Sequence, residues 1–132
     1  MSDTSAVSLA AAFEGVTDHW TPRVVGRVND QYVKVATLLG EFVWHAHDRE
    51  DELFLVLEGH LVIQLEGQPD VHLDAGEFFV VPAGVRHNPV AEQEVRVVLI
   101  ETVTTAHTGD VEDERTVSIA TQLGDGSGEA VA

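Results

Sequence analysis

Short apolar segments separated by turn signals run through most of the chain. Glu58-Gly59 and Glu66-Gly67 predict turns, and Pro82 and Pro89 bracket a further loop. No long stretch shows the period of an amphipathic helix. The pattern therefore predicts an all-β fold, either an antiparallel sandwich or a small barrel. The predicted strands, rich in Val, Leu and Phe, are Gln31–Leu39, Leu53–Leu57, Leu61–Leu65, Phe78–Val81 and Val95–Thr104.

Length and composition narrow the possible classes of protein. The 132 residues are 44% hydrophobic, which is enough apolar material for one domain with its own core. No apolar run approaches the ~18–20 residues that a membrane-spanning helix needs. The sequence contains no cysteine, which excludes disulfides, thiolate metal sites and cysteine nucleophiles. Any metal would therefore be held by nitrogen and oxygen ligands.

The charge of the chain is strongly negative. Seven Lys and Arg residues stand against 23 Asp and Glu residues, which gives a net charge of −16, and Lys34 is the only lysine. Such a chain repels phosphate backbones and anionic membranes, so neither nucleic acid nor a membrane is an expected partner. Many acidic residues with almost no lysine also fit a protein that stays soluble in high salt. An ordinary acidic cytosolic protein is the alternative interpretation.

Three histidines and one glutamate form the clearest candidate site. His45 and His47 are separated by one residue, so on a strand both side chains project from the same face. A polar stretch follows, which allows the chain to bend and bring Glu52 back towards the pair. His87 lies in a separate loop. Three imidazoles and one carboxylate suit Mn, Fe, Co, Ni, Cu or Zn, although a His-X-His pair on its own is also common on protein surfaces.

The spacing around these residues resembles the two motifs of the cupin superfamily. The first motif is a glycine, a His-X-His pair, a glutamate and a second glycine, and the second is a glycine, Pro-X-Gly and a histidine. Two intervals differ: four residues rather than five separate Gly40 from His45, and Ala91 stands where the family often has asparagine. Neither difference affects a ligand. The matching positions are Gly40, His45, His47, Glu52 and Gly59, followed by Gly76, Pro82, Gly84 and His87.

The resemblance implies a single antiparallel jelly-roll β-barrel with His45, His47, Glu52 and His87 as ligands of one divalent metal. The barrel with the metal site is expected over residues 30–105. An N-terminal segment, residues 1–29, would pack on the barrel or at an interface, and residues 106–132 would form an extension whose last residues, Gly124–Ala132, are disordered. The N-terminus lacks the basic region of a secretory signal, so a cytoplasmic location is expected.

Residues near the ligands are candidates for the pocket wall. Alternation from Glu52 places Phe54 and Val56 on the ligand-facing side of their strand. Arg86 could face a substrate at the pocket mouth or point into solvent, and the orientation of Gln64 depends on the strand register. Other residues are expected outside the site: Trp44 in the core or an interface, His60 and His72 on the surface or facing a partner, and His19 and His107 at the periphery.

Three functions remain open for such a protein. The first is a metal-dependent isomerase or lyase that acts on a small oxygenated substrate, with an uncharged sugar, a keto acid or a polyketide-like molecule favoured over a phosphorylated one because basic residues are few. The second is an Fe(II) dioxygenase. The third is a non-catalytic protein that binds a small molecule. The catalytic residues beyond the metal ligands are unknown, and no nucleotide-binding motif occurs. Exposed sheet edges lead us to expect a homodimer.

Overall fold

A computed structural model of the protein describes residues 5–114 and 116–124. Within these residues it contains seven strands and two short helices. Almost all of the predicted disordered tail, Gly124–Ala132, lies outside the described residues. In chain order the elements are α1 (Leu9–Glu14), β1 (Arg23–Val28), β2 (Gln31–Glu41), β3 (Glu52–Glu58), β4 (His60–Leu65), β5 (Gln68–Asp74), β6 (Phe78–Val81), β7 (His87–Thr102) and α2 (Ile119–Gln122).

The strands form an antiparallel barrel of the jelly-roll type, which confirms the predicted fold class. The strand order is β1-β2-β7-β3-β6, and β4 pairs with both β5 and β7. The long strand β7 closes the barrel, because its first half pairs with β4 while its second half pairs with β3. β2 pairs with β7 along nearly its whole length. The two halves of β7 therefore belong to opposite walls of one interior.

Alternating apolar residues fill this interior. Leu38, Phe54, Leu61, Ile63 and Val97 are among the buried side chains that meet inside the barrel. Burying one such side chain contributes roughly 1.5–3 kcal/mol to folding, so this cluster is the main source of stability. A second, smaller cluster lies on the outer face of the sheet.

The outer cluster is covered by the N-terminal helix. Ser8 caps α1 by accepting a hydrogen bond from the backbone N–H of Ala11, at 3.2 Å. Phe13, on the last turn, packs against Val35 and Val98 of the underlying strands. The N-terminal segment also contributes β1, which pairs with β2, so the sheet begins before residue 30. None of the described helices is long and apolar enough to cross a membrane.

Two parts of the strand pattern differ from the prediction. β1 and β5 lie in segments for which no strand was predicted, since polar residues and Pro69 interrupt their apolar pattern. β7 begins at His87, so the predicted loop around Pro89 is strand as well. Proline has no N–H to donate, but the carbonyl of Pro89 accepts a hydrogen bond from Phe42 N at 3.1 Å. The strand therefore continues through this position and carries His87 into the barrel wall.

Candidate metal centre

Two separate backbone segments bring the predicted ligands together. His45 and His87 form an isolated antiparallel bridge, with N···O distances of 3.0 and 2.8 Å in its two backbone hydrogen bonds. Glu52 is the first residue of β3, and His87 is the first residue of β7. One ligand atom from each of His45, His47, Glu52 and His87 lies within 4.8 Å of the others, and all four residues are buried.

Backbone carbonyls orient two of the imidazole rings. Nδ1 of His45 lies 2.8 Å from the carbonyl oxygen of Val43, and Nδ1 of His87 lies 2.9 Å from that of Val85. A carbonyl oxygen can only accept, so each Nδ1 carries the proton. In the neutral rings this leaves the Nε2 lone pairs for a ligand bond, and a backbone partner on the other nitrogen is the usual arrangement of metal-binding histidines.

Several polar atoms of the cluster lack hydrogen-bond partners. Within the described part of the chain, both ring nitrogens of His47, Oε1 of Glu52 and Nε2 of His87 are buried and make no hydrogen bond of good geometry, although Nε2 of His47 and Nε2 of His87 lie 3.2 and 3.5 Å from Oε1 of Glu52. Leaving one buried polar group unsatisfied costs about 1–3 kcal/mol, so such a concentration calls for a ligand that satisfies several of them at once. A divalent ion with nitrogen and oxygen ligands does this, and the four residues fit it.

The charges of the cluster depend strongly on one another. Burial opposes ionisation of Glu52, but contacts with His47 and His87 hold its pKa well below the usual value. Burial, together with the neighbouring His87, lowers the pKa of His45 to about 4. Burial also disfavours the charged form of His47, yet the carboxylate of Glu52, 3.2 Å from Nε2 of His47, raises the pKa of His47 overall. The site thus holds an ionised carboxylate and a neutral His45 at pH 7.

A second acidic residue lies beside the ligand Glu52 and was missed from the sequence. Glu101 of β7 is buried directly across from Glu52 of β3. Burial and the charge of Glu52 raise the pKa of Glu101 well above the usual range. Nζ of Lys34 donates to Oε2 of Glu101 at 2.8 Å and to Oε1 of Gln122 at 2.5 Å. Lys34, the only lysine of the sequence, therefore places a positive charge beside the buried carboxyl group of Glu101 and connects α2 to the barrel through its hydrogen bond to Gln122.

A small apolar cavity opens next to the cluster. Its volume is about 30 Å³, and His45 and Glu52 contribute to its wall. Trp20 stacks on Phe42 at a centroid distance of 4.7 Å, which fixes one side of the cavity. Phe54 forms part of the wall as well. The remaining lining residues are Pro22, Ala36, Leu38, Pro89, Leu99 and His107.

His107 lies in this wall, which corrects the expectation that it is peripheral. Its ring lies 5.0 Å from that of Phe42, centroid to centroid. The backbone N–H of Val117 donates to Nδ1 of His107 at 2.8 Å, so the proton of the neutral ring is on Nε2. Burial lowers the pKa of His107 to about 4, which keeps the ring neutral at pH 7. No periodic pattern in the sequence marks this residue, because it follows the last strand in irregular backbone.

Hydrogen bonds hold the segment that carries His107 against the backbone between His45 and His47. Asp110 forms two hydrogen bonds with Ala46, which lies between His45 and His47: its carboxylate accepts from Ala46 N, and its own N–H donates to Ala46 O, each at 3.0 Å. Gly109 lies so close that a Cβ atom there would be 2.2 Å from the carbonyl oxygen of Ala46. The C-terminal segment thus covers the end of the barrel where His45 and His47 lie.

The other predicted wall residues lie in different surroundings. Val56 is fully buried in the interior core cluster. Gln64 lies on the face of β4 opposite to Ile63, and its Oε1 accepts a hydrogen bond from Asn88 at 3.0 Å. The half-exposed Arg86 is 3.5 Å from the carboxylate of Glu66. The structure therefore places Gln64 and Arg86 away from the pocket, because strand register turns Gln64 outward and an acidic neighbour holds Arg86.

Comparisons with known proteins agree with the fold and the motif. The family described as "Cupin domain" matches residues 34–103, more than half of the chain. A solved structure, that of a cupin-2 domain containing protein from Shewanella frigidimarina NCIMB 400, has a TM-score of 0.70 and 41% identity to this chain. The match covers 73% of this chain and 93% of that one.

Two curated proteins from Bacillus subtilis (strain 168) match over shorter stretches. The uncharacterized protein YdbB is 40% identical over 63 residues, which are 48% of this chain and 56% of YdbB. An acireductone dioxygenase is 29% identical over 77 residues, which are 55% of this chain and 43% of the enzyme. The chain therefore spans about half the length of these curated relatives.

The family match includes all four residues of the buried cluster, His45, His47, Glu52 and His87. The antiparallel barrel, the spacing of these four residues and the matched residues 34–103 lead to one conclusion. The chain belongs to the cupin family.

Proposed function

We propose that this cupin is a mononuclear metal enzyme that acts on a small, largely apolar, oxygenated substrate. The observation that carries the proposal is the set of buried ligand atoms that converge from His45, His47, Glu52 and His87, most of them without a hydrogen bond of good geometry, beside an apolar cavity. Four protein ligands on an octahedral ion leave two positions for exchangeable molecules, which is typical of catalytic rather than structural sites. A bound ion would polarise a substrate oxygen or, as iron, support reaction with O₂.

The cavity of about 30 Å³ has room for about one water-sized molecule, so it would admit O₂ or a substrate oxygen, and the side chains around it would orient a substrate bound at its mouth. Trp20, Phe42 and Phe54 offer apolar surface that excludes water from the reacting atoms. His107, held neutral with its proton on Nε2, would donate a hydrogen bond to a substrate oxygen. Among the described residues that line the cavity none is Lys or Arg, so a phosphorylated substrate would lack a partner for its charge.

Of the possible reactions, we favour an O₂-dependent one, as in an Fe(II) dioxygenase. An apolar wall suits O₂ and a substrate with few charges, and the chain resembles an acireductone dioxygenase over 77 residues. Isomerase or lyase chemistry is the second candidate. It is favoured by His107, because a neutral imidazole N–H could stabilise negative charge that develops on a substrate oxygen.

The test is reconstitution of the metal-free protein with Fe(II), Mn(II), Co(II), Ni(II), Cu(II) or Zn(II), each assayed with and without O₂. The substrate panel would contain enolisable ketones, keto acids and hydroxylated aromatic compounds. We expect O₂ consumption with the iron form, and its loss in Glu52→Gln. Turnover that persists without O₂ would instead establish the isomerase or lyase reaction. No turnover with any metal, together with a ligand-dependent rise in melting temperature, would contradict the enzymatic proposal.

We also propose that the protein is a homodimer that pairs through the outer face of β6. Phe78 and Val80 project from this face and are 61% and 39% exposed. Their cross-strand neighbours on β3, Leu55 and Leu53, extend the apolar surface. Copies with a charge of −16 repel each other, so a contact face without charged side chains is the one that a second copy can approach.

Replacement of Phe78 by Glu should therefore shift the protein to a monomer, because the contact would bury an unpaired charge. Sedimentation velocity at fixed protein concentration measures this directly. Val28→Glu is the matched control, since Val28 is 59% exposed at the far end of β1. A parent protein that is already monomeric, or a Phe78→Glu variant that stays dimeric, would contradict the proposed contact.

A further inference from the structure

A second histidine pair lies on the outside of the barrel, on neighbouring strands. His60 begins β4 and His72 lies on β5, where Val62 and His72 are cross-strand partners. Nε2 of His60 is 3.0 Å from Nδ1 of His72. Both rings are exposed and reach solvent on the same face of the sheet, away from the metal ligands inside.

An acidic residue orients one ring of this pair. Nδ1 of His60 is 2.7 Å from Oδ1 of Asp74, and since a carboxylate accepts, Nδ1 donates. In the neutral ring of His60 the lone pair is then on Nε2, the nitrogen that faces His72. A carboxylate behind a histidine in this way fixes the tautomer and increases the basicity of the ligand nitrogen.

We propose that His60 and His72 form a second metal site, which binds a late first-row divalent ion such as Zn(II), Cu(II) or Ni(II) through His60 Nε2 and His72 Nδ1. Two nitrogens at about 2.0–2.1 Å from one ion, with cis or tetrahedral angles, are about 2.9–3.4 Å apart. The 3.0 Å separation is a hydrogen bond between the neutral rings, from Nδ1–H of His72 to Nε2 of His60, and an ion bound by both nitrogens would displace this proton while the nitrogen separation stayed in the same range. Imidazole ligands favour these ions over Mg(II) and Ca(II).

The surroundings of the pair attract cations and leave room for further ligands. The two histidines line a surface groove of about 430 Å³ together with Glu92 and Glu94. Glu94 is also 2.8 Å from Nε2 of His19, so its charge is shared with that histidine. Water molecules would fill the remaining positions. The negative charge of the groove and of the whole chain raises the local concentration of divalent ions.

Gly59 brings the elements of the groove together. Its φ of +93° is favourable only for glycine, and a Cβ atom there would lie 2.8 Å from the carbonyl oxygen of Glu94. The close approach of β4 to the residues of β7 therefore depends on this glycine. As a result, His60 starts its strand beside the acidic residues of β7 rather than at a distance from them.

The test uses untagged, chelator-stripped full-length protein titrated with Zn(II) against a chromogenic chelator. We expect two equivalents in the parent, one in the His60→Ala/His72→Ala variant and one in His87→Ala, which removes a ligand of the interior cluster. His19→Ala, a change of an exposed histidine that contacts Glu94 but does not line the groove, should keep both equivalents. Asp74→Asn should weaken the outer site by about tenfold, because the carboxylate behind His60 is lost.

Cu(II) electron paramagnetic resonance provides a spectroscopic check on the His87→Ala protein. We expect hyperfine coupling from two nitrogens, reduced to one in the additional His60→Ala or His72→Ala variant. The proposal is overturned if the second equivalent survives loss of both imidazoles, or if the parent binds only an equivalent that His87→Ala removes. A parent that binds only one equivalent, which His87→Ala retains and His60→Ala/His72→Ala loses, would refute the interior site and leave the outer one, so the two failures are distinguishable.

Discussion

Replacement of His87 by alanine is expected to remove the interior metal and the activity that depends on it. His87 is fully buried, its Nδ1–H donates to the carbonyl of Val85, and its Nε2 makes no hydrogen bond of good geometry among the described residues but lies 3.5 Å from Oε1 of Glu52. Loss of a residue that only orients a ligand typically costs 10–100-fold in metal affinity, so loss of a ligand itself should cost more than about 100-fold. Metal content after dialysis, measured in the His60→Ala/His72→Ala background, reports on the interior site alone.

The control for this variant is His19→Ala, which removes an exposed imidazole and should retain a full equivalent of metal. Circular dichroism would establish that the barrel of His87→Ala is intact. Glu52→Gln provides an independent second variant, because it keeps the size of the side chain and removes the charge that raises the pKa of His47. Full metal retention in both His87→Ala and Glu52→Gln would contradict the ligand assignment.

The same site predicts that metal affinity falls as the pH is lowered. Imidazole binds metal only when neutral, and the pKa of His47 is raised above its usual value of 6.5 by Glu52. Metal binding must therefore displace a proton from His47 at and below neutral pH, and affinity should decline by up to about tenfold per pH unit there. The pKa of His45 is about 4, so this ring opposes binding only in stronger acid. A Zn(II) affinity that is independent of pH between 5 and 7 would contradict this expectation.

The buried cluster of His45, His47, Glu52 and His87 could be predicted from the sequence because the positions of these residues follow local rules. His45 and His47 share one face through simple alternation, and Gly59 and Gly84 occupy positions with φ values of +93° and +83°. The spacing of the histidines and the position of such glycines can be recognised directly in the sequence. The closing of the barrel through the two halves of β7 has no such local signal, since it depends on pairing between distant segments.

Lys34 and Glu101 are charged residues whose inward direction follows from strand alternation, although charged side chains are usually expected at the surface. Alternation places Lys34 on the same face of β2 as Ala36 and Leu38, and it places Glu101 in line with Leu99 on β7, all facing inward. Charged residues in such positions are almost never fully buried unless they are paired. The pairing joins residues 67 positions apart and cannot be deduced from either strand alone.

His107 illustrates a feature that no pattern could indicate. It lines the cavity only because the segment after β7 folds back over Ala46, and that path depends on the hydrogen bonds of Asp110 and on the small size of Gly109. Irregular backbone has no period from which a facing residue can be deduced. The wall of the cavity is therefore shared between the barrel and a terminal segment that follows the matched residues 34–103.

Replacement of Gly109 by alanine is expected to detach this segment and to destabilise the protein by about 2–4 kcal/mol. The new Cβ would lie 2.2 Å from the carbonyl oxygen of Ala46, and φ at this residue is +58°. Because Asp110 must stay bonded to Ala46 on both sides, the backbone cannot yield without breaking those bonds. Urea unfolding measures the stability, and hydrogen exchange at the Asp110 amide reports whether the segment has opened.

Gly67→Ala is the control variant, because it introduces the backbone strain of a positive φ without the steric clash that is expected at Gly109. Gly67 has a φ of +74° in the turn between β4 and β5, but a Cβ atom added there would have no neighbouring atom within 4 Å. Its substitution should therefore cost only the ~1–2 kcal/mol of a left-handed residue and should leave exchange at Asp110 unchanged. If Gly109→Ala is no more destabilising than Gly67→Ala, the segment does not press on Ala46 as described. If it is more destabilising and the Asp110 amide exchanges faster, the position of His107 in the pocket depends on this one close contact.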